Sequence, residues 1–295
     1  MEETINQYIA FMRDIKNVSE NTAISYKRDL MKMCKYFAEH GIDSEDKVTA
    51  TNMNTYILWL EKSGCATATI SRYIAAMKSY FHYLQQMGRI TEDPTILIKS
   101  PVPDKKSPKV LNIGQVDRLL SQPSDTSSKG IRDKAMLELL YATGIRVTEL
   151  ISIKLEDINL ELGYLIVGSD KTKERVIPFG DSARRAVYRY MSESRDKLLK
   201  EKSSDLLFIN CSGKSMSRQG FWKIIKGYGE QAGISEEITP HTLRHSFAIH
   251  MVENGANLEA VREMMGHSVL ATTQMYVNMK QASLSTEYKK AHPRQ

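Results

Sequence analysis

The sequence predicts a mainly α-helical protein with a small antiparallel sheet, an α+β fold built as two domains. At 295 residues the chain exceeds the usual size of one compact domain, so two hydrophobic cores are expected. Apolar residues recur at helical spacing through the first ninety residues, whereas a later stretch holds two short β-type runs. A proline-rich segment separates these regions and marks the boundary between the domains.

The first domain, residues 1–93, is predicted to be a module of four helices. Its apolar side chains recur three, four or seven positions apart, which aligns them on one face of each helix. Gly41, Gly64 and Gly88 follow the second, third and fourth helices and are typical helix stops. Each helix is therefore expected to present one apolar face to a shared core.

A linker is predicted at residues 94–109, which leaves residues 110–295 for the second domain. Four of the eight prolines lie inside this segment, in a stretch of fifteen residues: Pro94, Pro101, Pro103 and Pro108.

The second domain is predicted to combine helices with one β-hairpin. Helical patterns cover residues 112–121, 130–152 and 182–200. The β-type runs 164–167 and 175–178 flank a polar stretch, which is the pattern of a hairpin.

Composition indicates a cytosolic protein with an acidic partner. A net charge of +6 and a pI near 9.0 favour binding to a phosphate backbone, because clustered cations release its counterions. Three widely spaced cysteines form neither a disulfide framework nor a metal motif, which suits a reducing compartment. The chain shows no signal-peptide pattern and no apolar run near the roughly 20 residues that span a bilayer, so no membrane partner is expected.

A histidine-rich segment is the first candidate site. Thr239 and Pro240 form a helix start, with a capping hydroxyl followed by a proline at the first turn. His241 and Arg244 then lie three residues apart on one face, near the positive end of the helix. An arginine and an imidazole beside free main-chain N–H groups suit a phosphate. An ordinary surface helix with mixed polar residues explains this segment equally well.

A metal site is a weaker interpretation of the same segment. His241 and His245 lie four residues apart, as zinc-binding histidines on a helix do. However, Thr242 occupies the position of the glutamate in the H-E-x-x-H motif, and Arg244 would repel a dication. We expect neither a metal nor another cofactor.

Arg146 and Glu149 form the second candidate site. A helix ends at Gly144, and a new turn carrying these two residues begins immediately after it. One interpretation is a surface ion pair at i, i+3, which contributes little to stability. The apolar residues on both sides favour an arginine that points at an anionic group instead.

These segments together resemble the box motifs of the tyrosine recombinase (phage-integrase) family, in the family's order and spacing. The resemblance covers essentially the whole chain. The four-helix module is similar to the family's core-binding, SAM-like domain, and the remainder is similar to its catalytic domain. The closest subtype is the Xer recombinases. The segments are Ala142-Thr143-Gly144-Ile145-Arg146-Val147-Thr148-Glu149-Leu150, Pro240-His241-Thr242-Leu243-Arg244-His245-Ser246-Phe247-Ala248, and Met265-Gly266-His267-Ser268 with Thr272-Thr273-Gln274-Met275-Tyr276.

The resemblance implies a DNA strand-exchange enzyme with Tyr276 as its nucleophile. Arg146 and Arg244 would bind the nonbridging oxygens of the scissile phosphate and offset the charge of the transition state. Tyr276 would attack the phosphorus to give a 3′-phosphotyrosine and a free 5′-hydroxyl, so religation needs no ATP. The alternative for Tyr276 is a partly buried helix residue, one of fourteen tyrosines.

The remaining roles follow from the same resemblance. His241 would assist proton transfer at the nucleophile, and His267 would hydrogen-bond the phosphate. Glu149 would brace Arg146 rather than react.

The general acid is the point where the sequence departs from the family. The family's usual Gly-Lys-Gly-x-Lys-x-Arg pattern would place Asp170 where the hairpin lysine belongs. An aspartate is ionised at neutral pH and is a poor proton donor. We therefore assign the general acid to Lys171, with Lys173 as the second candidate and otherwise a DNA contact.

The resemblance also implies that the first domain binds the DNA opposite the catalytic domain. A solvated helix face explains its basic residues about as well. The candidate DNA contacts are Lys27, Arg28, Lys32, Arg72 and Lys78.

The implied partner is a double-stranded DNA recombination site, bound by a homotetramer or by a heterotetramer with a second recombinase. Strands would exchange in pairs through a Holliday junction. The job would be resolution of chromosome dimers, with integration or excision of a mobile element as the alternative. A noncatalytic DNA-binding regulator is the alternative from another class. By resemblance, the segment after Tyr276 would form a short helix that docks on a neighbouring subunit.

Overall fold

The chain divides into two compact units, Met1–Lys106 and Ser107–Gln295. The computed structural model describes residues 1–101, 109–168, 174–200 and 202–266. The division falls within the linker predicted at residues 94–109. Ile98, inside that segment, is buried in the core of the first unit. The first part of the expected linker therefore packs on the N-terminal domain.

The first unit has the predicted four-helix fold. Side-chain caps begin two of its helices: the Ser19 hydroxyl accepts a hydrogen bond from the Thr22 amide, and Thr49 and Asn52 form a reciprocal capping box. Its helices are α1 (Glu2–Asp14), α2 (Glu20–Glu39), α3 (Ala50–Lys62) and α4 (Thr67–Gln86).

The core of this unit is rich in aromatic side chains. Tyr8, Phe37, Tyr56, Tyr80 and Phe81 are fully buried. They come from all four helices, so each helix contributes its predicted apolar face to one core. The opposite faces of α2 and α4 are left for basic side chains.

The second unit is an α+β fold, and the predicted fold class is confirmed. The three strands in its described part form an antiparallel sheet in the order β1-β2-β3, with Val167 of β2 opposite Arg175 of β3. The two-residue strand β1 was not predicted. The elements are α5 (Ile113–Leu120), α6 (Ser128–Thr143), α7 (Val147–Ser152), β1 (Ile158–Asn159), β2 (Tyr164–Val167), β3 (Arg175–Pro178), α8 (Asp181–Glu193), α9 (Arg195–Leu199), α10 (Arg218–Gln231), α11 (Pro240–Glu253) and α12 (Leu258–Met265).

The single helix predicted over residues 182–200 is wrong, because the chain breaks at Ser194 between α8 and α9. The buried guanidinium of Arg195 donates hydrogen bonds to the carbonyl oxygens of Ser204, Leu206 and Leu207. These acceptors lie on a separate segment, so the break depends on a tertiary contact that helical periodicity does not reveal.

Helix α6 lies at the centre of the second unit and packs against α8 and α11. It ends at Gly144, which has a left-handed φ of 59°. A β-carbon at Gly144 would lie 2.2 Å from Cδ1 of Phe247, so glycine is needed here for space as well as for conformation. This tight turn directs the chain into Arg146 and α7. Within the described ranges, no helix combines the length and apolar content needed to cross a bilayer.

Candidate active site

Arg146 lies at the turn between α6 and α7, where it is the N-cap residue of α7. Its main-chain N–H donates to Oε2 of Glu149 at 2.7 Å, and its Nη1 donates to Oε1 of the same carboxylate at 3.2 Å. The Arg146 side chain is 43% exposed, whereas that of Glu149 is 18% exposed. The carboxylate therefore anchors an arginine that still faces solvent.

Arg244 lies on the first turns of α11, whose start has the predicted caps. Thr239 and Thr242 form a reciprocal capping box, and Pro240 occupies the first turn. Arg244 is 5% exposed, and its guanidinium is held by main-chain oxygens. It donates to the carbonyl oxygen of Gly144, the residue that ends α6. This contact links the segment of Arg146 to that of Arg244.

The carboxyl end of α12 brings the arginines together. Three successive carbonyl oxygens each accept a hydrogen bond from a different arginine: Met264 from Arg175, Met265 from Arg244, and Gly266 from Arg146. The last carbonyl groups of a helix lack partners within the helix and carry its partial negative charge. The end of α12 is thus a suitable anchor for guanidinium groups.

Glu149 is shared between two arginines. Nη1 and Nη2 of Arg175, on β3, donate to its two oxygens at 2.9 and 3.0 Å. Burial on its own would raise the pKa of this carboxyl group. The hydrogen bonds from Arg175 and from the Arg146 main chain, with the charges of both arginines, outweigh burial and lower the pKa below its ordinary value. Glu149 is therefore an anion at neutral pH.

A cleft of about 830 Å³ opens beside these residues. Arg146, Glu149, Arg175 and Gly266 line one part of it, and Gly168 brings in the end of β2. The cleft is therefore bordered by the hairpin, by the start of α7 and by the end of α12.

The histidines of α11 differ in environment. His241 is exposed on the first turn, whereas His245 is half-buried one turn later, with ring centroids 6.4 Å apart. Burial, then the proximity of His241 and Arg244, lowers the pKa of His245 to about 4. His245 is therefore neutral at physiological pH. In the part of the chain that the structure describes, no group of three or more potential metal ligands occurs.

Four predicted site residues lie outside the described residues: Lys171, Lys173, His267 and Tyr276. The segment predicted to dock on a neighbouring subunit also lies there. Of the remaining predicted residues, the structure brings Arg146, Glu149 and Arg244 to one place and puts His241 on the same helix as Arg244. Their catalytic roles stay predictions.

In the first unit, three of the predicted DNA contacts surround one buried carboxylate. Asp29 is 1% exposed, and its Oδ2 lies 2.9 Å from Nη1 of Arg72. Nε of Arg28 lies 3.9 Å from the other oxygen. Burial raises the pKa of Asp29, although Arg72, Arg28 and Lys32 each act to lower it. Lys32 in turn lies over the ring of Trp59 at 5.2 Å from its centroid.

The structure does not join the other two predicted DNA contacts to this cluster. Lys78 is six residues after Arg72 on α4, which places it about 240° around the helix. It lines a separate hollow with His82 and Thr95. Lys27 is exposed on α2.

Sequence reasoning missed three residues that organise these sites: Arg175, Gly266 and Asp29. In the sequence, Arg175 stands out only as the end of the hairpin pattern, and Gly266 only as part of a motif. An arginine at the end of a family pattern is a usable signal. A single aspartate among basic residues on a helix carries none, because its burial depends on the neighbouring helix.

Two family profiles match the chain. The phage integrase family matches residues 109–283, and the N-terminal SAM-like domain of phage integrases matches residues 5–88.

Proteins named tyrosine recombinase XerD are similar to the chain over its full length. The protein from Oceanobacillus iheyensis is 43% identical over 296 residues, covering 100% of this chain and 99% of that relative. The protein from Listeria innocua is 40% identical and the one from Staphylococcus haemolyticus 42% identical, each covering 100% of both chains.

Solved structures share the fold at lower sequence identity. XerH site-specific recombinase bound to its difH substrate in a pre-cleavage complex matches with a TM-score of 0.73 and 20% identity, covering 96% of this chain and 84% of that one. A lambda integrase dimer bound to a COC′ core site matches with a TM-score of 0.73 and 17% identity, covering 94% of both chains.

Proposed function

The chain belongs to the phage integrase family and is a Xer-like site-specific tyrosine recombinase, an enzyme that cleaves and rejoins DNA, and we propose that Arg146 and Arg244 bind the scissile phosphate. The observation that carries this assignment is the convergence of both arginines on adjacent carbonyl oxygens at the end of α12. His267 follows that end directly in the sequence.

Anchored arginines suit a phosphate in its transition state. A guanidinium carries five N–H donors in a rigid plane, and the described contacts of Arg146 use two of them. Because both arginines are held by main-chain oxygens, they are already oriented when charge builds on the phosphorus.

The proposed reaction is a transesterification at phosphorus. The phenol oxygen of Tyr276 forms the new P–O bond while the bond to the 5′-oxygen breaks, and His241 assists removal of the phenolic proton. Lys171 supplies the proton for the departing 5′-oxygen, with Lys173 as the alternative donor. His267 hydrogen-bonds the phosphate. The reverse reaction reseals a strand without an energy source, because the phosphotyrosine ester retains the bond energy.

The DNA and the assembly are proposed from the relatives. Recombinases of similar fold are described as bound to recombination sites, and the full-length relatives carry the XerD name. We place the protein in the cytoplasm, acting on a duplex recombination site as a homotetramer or with a second recombinase. Its proposed role is resolution of chromosome dimers, and mobile-element integration remains the alternative.

A nicked suicide substrate tests the chemistry. Duplexes would first be selected from randomised DNA by binding to the Tyr276→Phe protein, which keeps the binding surface. Wild-type protein should then form a covalent adduct with nicked versions of these duplexes that survives denaturation. Tyr276→Phe should form none.

A noncatalytic DNA-binding regulator would bind DNA without forming a covalent adduct. If wild-type protein binds the selected duplexes tightly but never forms an adduct at any nick position, the catalytic assignment is wrong. Adduct formation that persists in Tyr276→Phe would show a different nucleophile.

A further inference from the structure

We infer that Arg175 is a positioning residue that neutralises Glu149, so that Arg146 keeps its positive charge for the scissile phosphate. This inference rests on the proposed role of Arg146. It concerns a residue on β3 that does not itself face the substrate, because its side chain is 10% exposed against 43% for Arg146.

Arg175 and Glu149 form a bidentate ion pair. Nη1 and Nη2 of Arg175 bind the two oxygens of Glu149 at 2.9 and 3.0 Å. Arg146 makes only one side-chain contact with the same carboxylate, from Nη1 at 3.2 Å. The shorter, paired contacts indicate that Arg175, rather than Arg146, is the main counterion of Glu149.

Charge counting shows the consequence. Two arginines and one carboxylate leave one positive charge, and the arginine that is open to solvent carries it. Without Arg175, the carboxylate would have Arg146 as its counterion, and the pair would be neutral. A neutral pair attracts a phosphate far less than a cation does, most of all in a partly buried site.

Arg175 also holds the end of α12. Its Nε donates to the carbonyl oxygen of Met264 at 2.8 Å. A β-carbon at Gly266 would lie 2.9 Å from Cζ of Arg175, so the guanidinium packs directly against the residue whose carbonyl oxygen binds Arg146. One side chain thus ties the hairpin to both Glu149 and the anchor of Arg146.

The test compares variants that change the charge with variants that conserve it. Arg175→Gln removes one charge, whereas Glu149→Gln combined with Arg175→Gln restores the wild-type charge around Arg146. The rate of adduct formation on the nicked duplex should fall at least about tenfold in Arg175→Gln, and the double variant should be at least about threefold faster than that single variant. The dissociation constant for DNA should change less than about threefold in both.

A merely structural role gives a different pattern. Removing a second hydrogen-bonding group would then leave the double variant no faster than Arg175→Gln, which overturns the inference. Arg195→Gln is the control, since it removes another buried arginine that binds main-chain carbonyl oxygens of the same unit and makes no described hydrogen bond to Glu149 or to the end of α12. It should lower the melting temperature and leave the rate at saturating DNA unchanged.

The remaining outcomes also test the inference or the proposed function on which it rests. A rate for Arg175→Gln within about threefold of wild type contradicts the inference even though wild type forms adduct. If Arg175→Gln does not fold, Arg175→Lys replaces it: retention of adduct formation within about tenfold supports the charge role, and a larger loss opposes it. No adduct from wild-type protein would instead reject the proposed function.

Discussion

The carbonyl oxygen of Gly266 accepts a hydrogen bond of 2.9 Å from Nη2 of Arg146, 120 residues earlier in the chain. Gly266 ends α12 in a left-handed conformation with φ 60°, and its own N–H closes the last turn of the helix. The carbonyl group that this turn leaves outside the helix orients the arginine. One residue therefore both ends the helix through its N–H and positions a candidate catalytic residue through its carbonyl oxygen.

Replacing Arg146 by lysine should slow adduct formation by about 10²- to 10³-fold, because lysine keeps the charge but cannot bind Gly266 and the phosphate through a planar fork. The measurement is the single-turnover rate on the nicked duplex. Arg184→Lys is a matched control, since Arg184 is 44% exposed and also pairs with a carboxylate three residues away. Equal rates for the two variants would show that Arg146 does not bind the scissile phosphate.

Replacing Lys171 by alanine should abolish cleavage of ordinary DNA and spare a duplex whose 5′-bridging oxygen is replaced by sulfur. A thiolate leaves without taking a proton, so this substrate bypasses the general acid. Lys173→Ala should cleave both substrates. The reverse behaviour of the two variants would transfer the role to Lys173.

Replacing Arg72 by alanine should weaken DNA binding and reduce the slope of log K against log salt concentration by about 1, the effect of one lost phosphate contact. The reason is the position of Arg72 beside the buried Asp29 and the exposed Arg28. Arg13→Ala is the control, because it removes another cation of the same unit, one that pairs with Glu20 on the protein surface. An unchanged slope in Arg72→Ala would show that this cluster does not contact phosphate.

Replacing Gly144 by alanine should lower the free energy of unfolding by clearly more than the roughly 1 kcal/mol expected for a left-handed residue alone. The added β-carbon would lie 2.2 Å from the ring of Phe247. Gly233→Ala isolates the conformational effect, because Gly233 has φ 64° with nothing within 4 Å of an added β-carbon. Urea denaturation of both variants measures the difference, and equal losses would mean that the ring moves aside without cost.

His245 should make the protein less stable as the pH falls from 6.5 towards 4. Its pKa is lowered from 6.5 to about 4 in the folded chain, so over this range the unfolded chain binds a proton that the folded chain does not. Above pH 6.5 the imidazole is neutral in both states, so the full stability of the folded chain is present. The free energy of unfolding then falls progressively between pH 6.5 and about 4. Urea denaturation at pH 7 and pH 5 should show a smaller pH effect for His245→Gln, and an identical effect would contradict the lowered pKa.

Several parts of the fold were predictable because their signals are local. Apolar spacing predicted α1 to α4, and the capping hydroxyl of Thr239 marked a helix start that the structure confirms. The hairpin strands also matched their predicted ranges. The break at Ser194 was missed because it depends on where the guanidinium of Arg195 finds its acceptors.

The sequence by itself determined the two-domain α+β fold, the family, and the residue types suited to a phosphate. These properties follow from patterns that neighbouring residues carry, together with motifs in a recognisable order. Only the tertiary structure decided that Arg146, Arg175 and Arg244 share the end of α12, and that Arg175 is the main partner of Glu149. The reason is physical: these contacts join carbonyl and carboxylate groups to arginines from distant elements, and no periodicity encodes which orphan carbonyl a distant donor will reach.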